Sequence, residues 1–123
     1  MRAFLRLLMC VLFVTAPLAS PSLAQTPVVV SDTEAAQHIG QDVTVEGVVT
    51  AVSTSRKGNA FINFGSVYPN QTFTGWIPAG TPSARYASLR LLRGKKVKIT
   101  GRIELYRGKP EIKIMSKDQL VLE

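Results

Sequence analysis

A phrase used twice constrains this chain more than any other feature. Gly40–Val49 reads G-x-x-V-x-V-x-G-x-V, and Gly94–Ile103 reads G-x-x-V-x-I-x-G-x-I. Alternation of this kind belongs to a strand with one buried face and one wet face. Each copy has a turn glycine before it and a second glycine, Gly47 or Gly101, in mid-strand. Glycine weakens a strand interior and marks a bulge or a sharp bend. Two bent strands, one early and one late, are what a small closed β-barrel needs to turn its corners. The first copy carries Asp42 and Glu46, and the second carries Lys95, Lys96, Lys98 and Arg102. That asymmetry is the first hint of a partner.

The N-terminus reads as a targeting segment. Arg2 and Arg6 give a positive start, and Leu7–Leu18 is an apolar run broken by Thr15 and Pro17. Ser22 and Ala24 then place small residues just before Gln25. This is the layout of a secretory signal peptide, so residues 1–24 are expected to be cleaved and the product to be periplasmic or secreted. The apolar run falls short of the roughly 20 residues that span a bilayer. Met9 is too bulky for a lipoprotein site at Cys10.

The expected mature chain, Gln25 to Glu123, has 99 residues and suits a single domain with a limited core. Cys10 is the only cysteine and leaves with the signal, which excludes disulfides, thiol catalysis and cysteine metal sites in the mature chain. Without Arg2 and Arg6, 13 basic residues face 8 acidic ones, a formal charge of +5. Arg85 to Lys117 holds 11 basic residues and only Glu104 and Glu111 on the acidic side. Such a block points to an anionic partner, against the plainer reading of a solvated basic surface.

Periodicity predicts the elements. Residues 25–38 form a loosely ordered leader and a short helix, with N-cap candidates in Ser31-Asp32-Thr33-Glu34 and an end at Gly40. The first strand runs from Asp42 to Ser53, followed by a polar loop through Arg56, Lys57, Gly58 and Asn59. Ala60–Phe64 and Phe73–Ile77 are the second and third strands, joined by a turn-rich connection. Thr81-Pro82-Ser83 opens a helix with proline at its first position. Leu89 and Leu92 turn inward from it, and Gly94 ends it. The fourth strand spans Lys96 to Tyr106, Arg107-Gly108-Lys109-Pro110 is a tight hairpin, and Glu111–Met115 is the fifth strand. Gln119 to Leu122 closes the chain.

Three strands, a helix and two more strands, with bends in the first and fourth, give an all-β fold with one short helix. That order is the five-stranded Greek-key OB-fold barrel, with its helix between strands three and four. Four phrases carry a family resemblance: Val43 to Val49, Phe61-Ile62-Asn63-Phe64, Gly94 to Ile103, and Tyr106 to Ile112. Through them residues 39–121, within an expected OB-fold domain of residues 39–123, resemble the nucleic-acid-binding OB domains of anticodon-binding modules, replicative polymerases and nuclease-associated proteins. In that architecture ligands lie across strands two and three, flanked by the loops joining strands one to two and four to five.

The expected interface follows from this placement. Arg56 and Lys57 lie in one flanking loop, and Arg107 and Lys109 in the other. Together they form a funnel for a phosphate backbone. Of the rings Phe61, Phe64, Tyr68, Phe73, Trp76 and Tyr106, at least half belong to the core by alternation. Trp76 and Tyr106 are the candidates for stacking bases. Lys96, Lys98 and Arg102 share a face of the fourth strand and, with Lys113, make a basic stripe or simply its wet side. Glu46 stands to pair with Lys98 or Arg102.

Catalysis finds no constellation. His38 is the sole histidine and has no visible partner for a metal site or a triad. The early acids Asp32, Glu34, Asp42 and Glu46 match no cation-binding spacing. No cofactor or metal is expected. The reading is a monomeric, exported OB-fold protein that binds single-stranded nucleic acid without catalysis. The alternative is a periplasmic interaction module for a protein partner, an anionic glycan or a lipid headgroup.

Overall fold

The computed structural model describes residues 26–81 and 86–123. The expected signal segment and most of the helix start at Thr81-Pro82-Ser83 lie outside the described residues. Seven strands form one sheet system: β1 (Val29–Ser31), β2 (Asp42–Thr54), β3 (Ala60–Phe64), β4 (Phe73–Ile77), β5 (Lys96–Tyr106), β6 (Lys109–Lys113) and β7 (Leu120–Leu122). A short helix, α1 (Tyr86–Leu89), runs on into a 3-10 turn at Arg90–Leu92 between β4 and β5. The fold is mostly β with one helix, as the alternation predicts.

The doubled phrase explains how the ring of strands closes. β2 and β5 run antiparallel, with Val43 opposite Gly101, Val45 opposite Ile99 and Gly47 opposite Val97. The two copies thus pair head to tail, each mid-strand glycine facing an inward valine of the other copy. β2 then pairs with β3, β3 with β4, β4 with β6 in parallel, and β6 with β5. Following those pairings returns to β2, so five strands form a closed ring. The strand order is that of an OB-like fold.

The bend in β2 does not fall where the sequence placed it. The register shifts between Val49 and Ala51, not at Gly47. Thr50 holds the irregularity by donating from Oγ1 to the carbonyls of Asn63 and Ser66, at 2.9 and 3.1 Å. Gly47 serves close packing instead. A Cβ there would stand 2.8 Å from Asp32 Oδ1 and 2.9 Å from Phe64 Cδ1.

The interior is aliphatic with two rings. Val43, Val45, Val49, Ile62, Ile77, Val97, Ile99, Ile103, Ile112 and Ile114 are buried around Phe64 and Phe73, whose centroids lie 5.4 Å apart. Leu89 is buried and Leu92 packs on the same cluster, as the helical spacing predicts.

The leader is more ordered than expected. Val29–Ser31 adds a parallel edge strand beside β2, and Val30 is buried. A 3-10 helix, Asp32–His38, follows it and buries Ala35. Ser31 makes no side-chain cap; its hydroxyl bonds Thr33 instead. Among the described residues no helix is long and apolar enough to cross a membrane.

Candidate functional site

Alternation along β3 and β4 turns Ile62, Phe64, Phe73 and Ile77 inward and leaves Phe61, Asn63, Thr74 and Trp76 on the opposite face. The register between the two strands is continuous, so Gly75 adds no bulge. It arranges that face in two rows. One runs Ala51, Asn63, Thr74, Glu111, and the next runs Ser53, Phe61, Trp76, Lys113. In the first row Thr74 Oγ1 donates to Asn63 Oδ1 at 2.8 Å, and both side chains are buried despite their polarity.

A cavity of about 300 Å³ lies over that row. Ser53–Ser55 and Phe61 line one side. Tyr68 and Gln71 come from the connection between β3 and β4, and Tyr106, Arg107 and Lys109 from the β5–β6 hairpin. Aromatic walls with a few placed polar groups are the usual makeup of a ligand site.

The hairpin aims its cation through backbone conformation. Arg107 and Gly108 have φ of 49° and 77°, the two positive values that a tight type I′ turn requires. Arg107 then reaches back. Its Nη1 donates to Tyr68 Oη at 3.4 Å, and its guanidinium sits 5.2 Å from the Tyr106 ring centroid. The Tyr68 bond, followed by electrostatic interaction with Tyr106 and Tyr68, raises the Arg107 pKa further. Arg107 therefore bridges two exposed rings.

Glu111 and Gln71 also line the cavity. Glu111 is half-buried, and that burial, with Glu104 opposite it across the hairpin, pushes its carboxyl above the ordinary value. Gln71 is 5% exposed, and its Oε1 has no hydrogen-bond partner among the described residues.

Of the sequence candidates, the structure brings Tyr106, Arg107 and Lys109 together at this cavity. Arg56 and Lys57 are exposed at the tip of the neighbouring turn, outside its lining, although Ser53–Ser55 just before them are part of it. Trp76 lies in the row beside the cavity, half-buried, with Lys113 Nζ 5.3 Å from its ring centroid. Sequence reasoning passed over Asn63, Gln71 and Thr74. Polar residues at alternate positions of otherwise apolar strands were the available signal for Asn63 and Thr74. Nothing local marks Gln71.

The basic stripe is largely engaged elsewhere. Lys96 and Lys98 both contact Glu46 and Glu123, the shortest contacts being 3.0 Å from Lys96 to Glu46 and 3.1 Å from Lys98 to Glu123. His38 Nδ1 lies 2.9 Å from Gln41 Oε1 in an exposed local contact.

No protein-family model and no curated protein sequence matches the chain. Solved structures do resemble it in fold. Asparaginyl-tRNA synthetase from Pyrococcus horikoshii is similar over 76% of this chain and 22% of its own, at 15% identity and a TM-score of 0.54. Asparaginyl-tRNA synthetase from Entamoeba histolytica matches over 79% and 24%, at 23% identity and a TM-score of 0.52. OBody AM2EP06, bound to hen egg-white lysozyme, matches over 76% and 90%, at 17% identity and a TM-score of 0.54. The chain spans less than a quarter of either synthetase.

Proposed function

We propose that the face over β3 and β4 binds single-stranded nucleic acid. In this reading the protein acts by binding, without catalysis, as an exported monomer. The observation that carries it is the meeting of three rings, Phe61, Tyr68 and Tyr106, with Arg107 and Lys109 around one cavity. Such rings stack bases in a sequence-tolerant way, at about 1–3 kcal/mol per base. The cations neutralise backbone phosphates, with Arg56 and Lys57 extending the charged path along the neighbouring turn. The fold likeness to tRNA synthetases supports this reading.

The test is fluorescence anisotropy of a labelled oligothymidylate at several salt concentrations. Affinity should fall steeply with salt, and Arg107→Gln should reduce the slope of log affinity against log salt by about 0.7, the value for one single-strand phosphate contact. Absence of binding at low salt refutes the proposal.

The OBody bound to lysozyme favours a second reading, in which this fold docks on a protein surface. Titrations with an acidic glycan and with anionic vesicles belong beside the oligonucleotide. Tighter binding to either would move the function to the envelope-interaction class.

A further inference from the structure

A second cavity, of about 490 Å³, lies at the bulge of β2. Thr50, Ala51 and Val52 of the bulge line it with Val67 of the β3–β4 connection, and Arg90 and Arg93 of the turn before β5 complete it. It adjoins the first cavity. Ala51 heads the row that continues through Asn63, Thr74 and Glu111, and Val52 and Val67 immediately precede Ser53 and Tyr68 of the first lining. The backbone beside Arg93 is fastened to the bulge. Gly94 N–H donates to the Val49 carbonyl at 2.8 Å, and Val49 N–H donates to the Lys95 carbonyl at 2.9 Å. Leu92 packs on the core. Arg93 is therefore an exposed side chain on a fixed base.

The two cavities suit different parts of a nucleotide. Phe61, Tyr68, Tyr106 and Glu111 line the first, where rings stack bases and the Glu111 carboxylate repels a phosphate. The second has two guanidiniums, with no ring and no carboxylate among its described lining residues. Thr50 Oγ1 already directs its hydrogen to the carbonyls of Asn63 and Ser66, so the donors offered there are those of the arginines. A guanidinium fork matches paired phosphate oxygens.

Resting on the reading of this face as a single-strand site, we propose that the second cavity seats a backbone phosphate of the strand whose bases stack at the first, with Arg93 as the contact. From Glu111 to Ala51 the row crosses three strand spacings, about 14 Å. That is the length of about four stacked nucleotides at about 3.4 Å each. The strand's path then extends beyond the two flanking loops to the turn that follows α1.

The experiment measures the salt dependence of binding of a labelled twelve-residue oligothymidylate to four proteins, and follows the amide signals of Ala51, Val52 and Val67 by NMR. Arg93→Gln should reduce the slope of log affinity against log salt by about 0.7, the value for one single-strand phosphate contact. Arg93→Lys keeps the charge and should restore the slope, which separates a phosphate contact from altered packing. Lys117→Gln removes the same charge from an exposed residue that lines neither cavity, and should leave the slope as in the unmodified protein. The three amides should shift as the strand is added. If the strand binds but Arg93→Gln keeps the unmodified slope, or the three amides stay silent, the phosphate assignment is wrong while the single-strand reading stands. Shifts there with inorganic phosphate and none with the strand would also overturn the assignment. If no strand binds at low salt, both fall.

Discussion

Packing behind the candidate site is tight at Gly75, between Thr74 of the cavity floor and Trp76. A Cβ added there would stand 2.6 Å from Ile99 Cδ1 and 3.0 Å from Ile114 Cδ1, both in fully buried isoleucines. Carbon atoms pack best at about 3.5–4.0 Å, so the shortfall toward Ile99 is about 1 Å. Overpacking a core by one methyl costs about 1–3 kcal/mol. Replacing glycine by alanine in a strand returns about 0.5–1 kcal/mol of that. Gly75→Ala should therefore destabilise by up to about 2.5 kcal/mol and centrally by about 1 kcal/mol, a central drop of roughly 4–8 °C in Tm for a domain of this size. Ile99→Val deletes the clashing Cδ1 and costs about 0.5–1.5 kcal/mol alone. The double variant should be close to Ile99→Val in stability, a favourable coupling of about 1 kcal/mol. Urea unfolding of the four proteins measures it, provided the m-value is constant. Additivity within about 0.5 kcal/mol would refute the steric argument, because residues that do not touch add within that margin.

Two further outcomes follow from the polar contacts. The Lys96 bond first, then the contact with Glu123 and the lysine charges, hold the Glu46 carboxyl below its ordinary 4.5. A depressed carboxylate adds stability that is fully present above 4.5 and is lost as pH falls through the lower folded value. Glu46→Gln should flatten that acid loss in thermal melts, and added salt should shrink the difference between the two proteins. Identical acid limbs would show that the ion pairs do nothing. Gln119 accepts from the amides of Met115 and Ser116 and donates to the carbonyls of Thr100 and Lys113. Gln119→Ala should cost about 2 kcal/mol and speed hydrogen exchange at the Met115 and Ser116 amides; unchanged exchange at both would remove Gln119 as the tie between β5 and the end of β6.

The architecture was legible because alternation and turn residues act locally. The ranges of β3, β4 and β5 match the sequence reading residue for residue, and the Arg107-Gly108 turn lies where its composition places it. The bulge at Thr50 was not legible, since it depends on the carbonyls of Asn63 and Ser66 arriving from another strand. Nor was the edge strand Val29–Ser31, which forms because β2 offers it a free side. The site was half legible. Tyr106, Arg107 and Lys109 share one hairpin, so their proximity is a local fact. Gln71 and Tyr68 join them only because the connection between β3 and β4 folds over the sheet face.

The same long strand shows why the charge count was a poor guide and charge position a better one. β5 runs 11 residues, about 36 Å, from Lys96 to Tyr106. At its start, Lys96 and Lys98 face Glu46, which the head-to-tail pairing of the two copies brings opposite Lys98, and Glu123, which follows the adjoining β7. Those contacts engage two of the eleven cations in the basic block that first suggested a polyanion. At its far end, the turn after Tyr106 projects Arg107 beside two tyrosine rings, and Glu104 and Glu111 of the same hairpin stand opposite each other. The acidic copy of the repeated phrase thus balances one end of β5 and leaves the other end its positive charge. The exposed positive charge at this end is thus a small number of cations beside aromatic rings rather than a uniformly basic face. Attraction between exposed charges falls with salt, whereas stacking on the exposed rings would not be screened.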